Sequence, residues 1–132
     1  MIGLDTNLLV RYIVQDDPKQ SKIAERIIEL NCSNENPGWI SMIVLCEFVW
    51  VTQGAYDYSK DVVISILYKI LSTTELQIEN VSIIRKALKI FEKENLDFAD
   101  AIIGCLNNSF ECSTTYTFDK KASKNKYFTL AI

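Results

Sequence analysis

Four acidic side chains stand where an ordinary surface carboxylate has little reason to be. Asp5 closes the apolar run Ile2 to Leu4, and Asp119 closes the threonine- and aromatic-rich run Ser113 to Phe118. Glu47 interrupts the otherwise apolar stretch Met42 to Val51, and Asp100 lies among Ala99, Ala101, Ile102, Ile103 and Gly104. Taken singly, Asp5 and Asp119 read more simply as turn or capping residues. Asp97 and Asp100, one at an N-cap and one in the first turn, both suit the positive end of a helix dipole. Taken together, such carboxylates would repel one another unless cations neutralised them, and hard oxygen donors select magnesium or manganese over zinc or copper. Ions of that kind polarise a phosphoryl oxygen, lower the pKa of an attacking water and stabilise a leaving oxygen, which is what phosphodiester hydrolysis requires. Like-charge repulsion also predicts a raised pKa for at least one of these acids when no metal is bound.

The rest of the composition removes the competing chemistries. There is no histidine among the 132 residues, so Ser-His and Cys-His pairs, histidine bases and imidazole-ligated zinc are all excluded. Cys32, Cys46, Cys105 and Cys112 show no C-x-x-C spacing and read as free thiols. The start meets a charge at Asp5 without a basic flank, unlike a secretory signal. The longest apolar stretch, Ile40 to Val51, is too short and too polar to cross a bilayer, and a reducing cytoplasm is the expected location. A net charge of −3 argues against binding polyanions through overall charge. Lys120, Lys121, Lys124 and Lys126 nevertheless cluster, as a solvated loop or as a contact for phosphate.

Positioning those acids requires particular elements. Ile2 to Leu4 reads as a strand running straight into a helix from about Leu8, and Asp17-Pro18 opens a second helix. Trp39-Ile40 is a brief strand, after which Ser41 caps a helix to Gln53 that must be buried nearly all round, leaving Glu47 to face a metal or cleft or, alternatively, to find a partner lysine or a face reaching solvent. Ser59 opens the next helix, Leu76 to Ile78 alternates as a strand, and Asn80 starts a helix reaching Asn95. Asp97 caps a helix from Phe98 to about Ser109, and Ser113 to Phe118 and Phe128 to Ile132 are the last strands. Short strands alternating with helices predict an α/β/α sandwich, one domain over 1–132, around a mostly parallel central sheet of about five strands. In such folds ligands gather at the carboxyl ends of the strands, where Asp5 and Asp119 fall.

At these residues the chain resembles the PIN-domain family, and more closely its VapC-type ribonuclease toxins. The likeness rests on Ile2-Gly3-Leu4-Asp5-Thr6-Asn7-Leu8-Leu9, on Ser41 through Glu47, on Asp97-Phe98-Ala99-Asp100-Ala101-Ile102-Ile103 and on Thr117-Phe118-Asp119. The resemblance implies a magnesium- or manganese-dependent endoribonuclease with Asp5 and Asp100 as principal metal ligands. It implies that Glu47 acts on the metal directly or through water and orients the nucleophile, that Asp119 completes a second-metal site, and that Thr6, Asn7 and Thr117 steady the carboxylates. It further implies an RNA substrate, a cognate antitoxin protein and a homodimer; the helices Asp17 to Leu30 and Val62 to Leu71 are candidate walls for the antitoxin's groove. The run of small polar residues from Cys112 to Thr115 and the short tail beyond Lys120 depart from the family pattern.

Two other readings compete. A PIN-like scaffold that binds RNA or protein without cutting would have no need of the full acid set. A phosphoacceptor receiver domain expects paired acids directly after its first strand, whereas Asp16-Asp17 precede Pro18 between two helices.

Overall fold

A computed structural model describes residues 1–132. The chain folds as two compact units, Met1–Glu79 and Asn80–Ile132.

The first unit runs β1 (Ile2–Gly3), α1 (Thr6–Val14), α2 (Pro18–Asn31), β2 (Gly38–Ile40), α3 (Met42–Gly54), α4 (Lys60–Leu71) and β3 (Leu76–Ile78). Its three strands lie in the order β1-β2-β3, all parallel, with Ile2 opposite Gly38 and Ile40 opposite Ile78. Parallel neighbours need crossovers, and the helices between the strands supply them. The helices start where side-chain chemistry dictates. Asp17 accepts from the amides of Lys19 and Gln20 ahead of Pro18, Ser41 accepts from Val44 N, and Ser59 accepts from Val62 N. Leu9, Ile40, Leu45, Phe48, Val49, Val63, Leu67 and Ile70 are buried at the centre of this unit. Gly38 packs closely under two side chains: a Cβ there would stand 2.8 Å from Cys32 Sγ and 2.9 Å from Leu4 Cδ1, so these would have to shift.

The second unit runs α5 (Val81–Lys93), α6 (Phe98–Ser109), β4 (Thr115–Thr117), a single 3-10 turn (Ala122–Lys124) and β5 (Phe128–Leu130). β4 and β5 pair in parallel, Thr115 opposite Phe128. Helices α5 and α6 pack through Phe91 and Phe98, whose rings meet edge-on at 5.6 Å. A Cβ on Gly104 would stand 2.7 Å from the Phe128 ring and 3.2 Å from Tyr127 Cβ, so glycine lets α6 sit tightly on the end of the chain.

Alternating helices and parallel strands place the chain in the α/β class expected from its sequence, in a PIN-like fold. Three details differ from expectation. The five strands are grouped as three and two rather than in one continuous ladder. Helix α1 begins at Thr6 rather than near Leu8, because Thr6 is buried and hydrogen-bonded. Helix α5 ends at Lys93, where Glu94 turns extended.

Candidate active site

In the first unit the relevant acids lie at the carboxyl edge of the parallel sheet. Asp5 follows β1 and takes the N-cap position of α1 with an extended backbone, yet its side chain makes no capping bond and is exposed. Its carboxylate is therefore not consumed by the helix. Thr6 is buried, and its Oγ1 donates to Glu47 Oε1 at 2.7 Å, tying α1 to α3.

Glu47 corrects the sequence reading of α3. That helix is not buried all round: Ile43, Glu47 and Trp50 are exposed at i, i+4 and i+7, a single stripe down one side. The apolar character of Ile43 and Trp50 hid this face, since a hydrophobic side chain reads the same whether or not it finds a partner. Glu47 consequently needs no buried cation; one oxygen takes the Thr6 hydroxyl and the carboxylate faces solvent. Asn7 is exposed and lines a cavity of about 260 Å³ with Leu8, Arg11, Gln20, Ile23 and Ala24.

A further acid at this edge escaped the sequence reading. Glu79 directly follows β3, and its Oε1 accepts from the amide of Met42 at 2.9 Å, so it helps to cap α3 across the sheet. Its place after an alternating strand was the available signal.

The second unit carries Asp97, Asp100 and Asp119. Asp97 has the extended backbone of an N-cap but no side-chain capping bond, so its carboxylate is also left unused by the helix. Asp100 is in the first turn of α6 and is half-buried. Burial pushes its carboxyl above the ordinary range, and the neighbouring charges of Asp97 and then Asp119 push it further. The largest share of that rise comes from burial, with like-charge repulsion second to it. Asp119 follows β4, where its own amide donates to Thr117 Oγ1 at 3.0 Å. Its Oδ1 accepts from Lys121 N at 2.8 Å and Ala122 N at 3.3 Å, which orients the carboxylate. Helix α6 is tied to β4 by Asn107 Nδ2 donating to Thr115 Oγ1 at 3.1 Å.

The donor chemistry is uniform: carboxylate oxygens, no imidazole and no clustered thiols. Asp100, raised in part by two like charges, is a position that a cation would relieve, so the residues present suit a hard divalent ion. Neither unit by itself gathers three Asp, Glu, Cys or His side chains tightly enough to hold one. All four cysteines are free, and burial pushes the thiols of Cys32, Cys46 and Cys105 upward, which keeps them neutral.

Parallel strands with unconsumed acids just beyond their carboxyl ends define a class of ligand-binding α/β domain. Residues 2–126 match the family model of the PIN domain, and the chain belongs to that family. Its fold is accordingly of the nuclease type, and PIN domains are generally hydrolases of nucleic acid. No functionally curated protein is significantly similar to the chain.

Proposed function

We propose that the protein is a magnesium- or manganese-dependent endoribonuclease and the toxin of a toxin-antitoxin pair. Asp5 and Asp100 are its metal ligands, with Glu47 and Asp119 completing the acidic set. The observation that supports this reading is the half-buried Asp100 in the first turn of α6, whose charged form is disfavoured by burial and then by Asp97 and Asp119, a position that a cation would relieve. When bound, the ion supplies charge to polarise a phosphoryl oxygen and to acidify a water.

The chain's own residues do the rest. Glu47 is steadied at Oε1 by Thr6, and its other oxygen is available to accept a hydrogen bond from the attacking water. Asp119 is held by two backbone amides and presents its remaining oxygen. Without histidine, proton acceptance falls to these carboxylates.

The recess lined by Leu8, Arg11, Ile23 and Ala24 supports docking of an antitoxin segment, and half-exposed Ile23 and Val62 lie on the two helices that the sequence marked as walls. Homodimerisation and a cytoplasmic setting belong to the same reading. The free cysteines suit a reducing compartment, and no helix is long and apolar enough to cross a membrane.

The test is RNA cleavage in magnesium or manganese, with and without chelator, by the wild type and by Asp5→Asn and Asp100→Asn. Metal-dependent cleavage lost in both variants is expected. Cleavage that survives both substitutions would sink the metal-nuclease reading, and the absence of cleavage with retained RNA binding would favour the non-cutting scaffold.

A further inference from the structure

Lys120, Lys121, Lys124 and Lys126 follow Asp119 directly, and the loop that carries them is built rather than slack. Asp119 O accepts from Ser123 N at 3.0 Å, Lys121 O from Lys124 N at 3.2 Å, and Ala122 O from Asn125 N at 2.9 Å. Ala122, only 1% exposed, anchors the turn against Leu96 and Phe128. Asn125, 4% exposed, donates from Nδ2 to Glu94 Oε1 at 2.9 Å and accepts from Tyr127 N at 2.9 Å. The turn is therefore pinned from beneath and tied to the end of α5.

On this pinned turn Lys121 and Lys124 line a cavity of about 300 Å³ with Glu94, Asn95 and Leu96. Lys126 is engaged elsewhere, its ammonium lying 5.1 Å from the centre of the Tyr127 ring. Lys121 and Lys124 are exposed and form no ion pair. Glu94 is the one acid in the wall, and Asn125 occupies one of its oxygens. Two unpaired ammonium groups on a rigid turn, in a chain of net charge −3, make a local anion site that overall charge conceals.

We propose that Lys121 and Lys124 bind a backbone phosphate of the RNA strand that flanks the bond to be cut. The Asp119 side chain organises the first turn of the same loop through the amides of Lys121 and Ala122, so the loop presents an acid and two cations in fixed register. The ammonium groups are point charges suited to phosphate, and they position the strand without taking part in chemistry. This inference rests on the ribonuclease reading above.

The test measures equilibrium binding of single-stranded RNA to the Asp5→Asn protein, in which the strand is not consumed, across a range of salt. Lys121→Ala with Lys124→Ala is expected to weaken binding about tenfold and to reduce the slope of log K against log salt by about 0.7, the share of one phosphate on a single strand. Lys121→Arg with Lys124→Arg should restore most of the affinity. Lys86→Ala with Lys89→Ala, on the exposed side of α5, should leave binding unchanged. Unchanged affinity and slope in the Lys121 and Lys124 alanine variant, or an equal loss in the Lys86 and Lys89 variant, overturns the inference. If the wild type cleaves RNA while the alanine pair binds normally, only the inference falls. If the wild type neither binds nor cleaves RNA, the function falls and takes the inference with it.

Discussion

The two units hold their acids in opposite ways. In Met1–Glu79, Glu47 takes the Thr6 hydroxyl and Glu79 takes the Met42 amide, while Asp5 makes no capping bond. In Asn80–Ile132, Asp100 gains its perturbation from partial burial and from two other carboxylates, and Asp97 accepts no capping bond. The first unit uses Glu47 and Glu79 to hold helices in place; the second half-buries Asp100 beside two like charges. A carboxylate whose charged form is disfavoured lowers stability once ionised unless something positive is bound, so the second unit is where metal, pH and charge removal should be felt most.

The largest expected effect is on activity. Asp5→Asn and Asp100→Asn should each lower metal-dependent RNA hydrolysis by at least about a hundredfold, since under the proposed function each removes a metal ligand and forfeits several kcal/mol of charge stabilisation. Asp97→Asn should cost less than about tenfold under the same assay, because the proposed reading gives Asp97 only its charge beside Asp100. An Asp97 loss equal to that of Asp100 would break the distinction.

Next come the two glycines. Gly104→Ala drives a Cβ into the Phe128 ring at 2.7 Å and crowds Tyr127 Cβ at 3.2 Å, so α6 must shift. About 1–3 kcal/mol of stability should be lost in denaturant unfolding. Gly38→Ala meets Cys32 Sγ and Leu4 Cδ1, the latter the end of a flexible side chain, and should cost less. Equal losses would mean that both contacts are equally rigid.

Thr6→Val tests the donor-based arrangement. It removes the 2.7 Å bond to Glu47 but leaves an exposed carboxylate that water can solvate, so the melting transition should register about 1 kcal/mol or less.

Asp100→Asn tests the repulsive arrangement at equilibrium. Because the folded state raises this pKa, the native chain retains a proton that the unfolded chain has already released just above the usual carboxylate range. Wild-type stability therefore falls as pH rises through that window and stays lower beyond it. Without metal, Asp100→Asn should melt above the wild type at about pH 7, and the gap should close as pH drops below the ordinary aspartate pKa of roughly 3.9. Added manganese should raise the wild-type melting temperature more than that of the variant. A gap that does not change with pH would remove the electrostatic cause.

Much of this could be read from residue types. Asp17-Pro18, Ser41 and Ser59 announce helix starts because a short side-chain oxygen ahead of an apolar period has one economical use, and the structure shows all three accepting amide hydrogens. The parallel strands followed from their alternation with helices. Other features depend on facts that sequence does not carry. Ile43 and Trp50 left one stripe of α3 in solvent, so burial around Glu47 could not be inferred from hydrophobic neighbours. Asp97 looked like a cap by position and makes no capping bond, while Glu79, just after β3, accepts the Met42 amide and helps to cap α3. Which carboxylate caps and which stays unused is settled by orientation at the scale of a single rotamer. The Lys120 to Lys126 run read either as a solvated loop or as a contact for phosphate, and the packing of Ala122 and Asn125 that pins it was not legible from the lysines themselves.

Under the proposed function Asp5 and Asp100 serve the same reaction, and the most direct test is a double-mutant cycle on the rate of manganese-dependent RNA cleavage with Asp5→Asn and Asp100→Asn. Groups that act as one catalytic unit are strongly non-additive, so the double variant should be about as slow as either single variant. Losses that multiply, or a single substitution that leaves the rate unchanged, would contradict it.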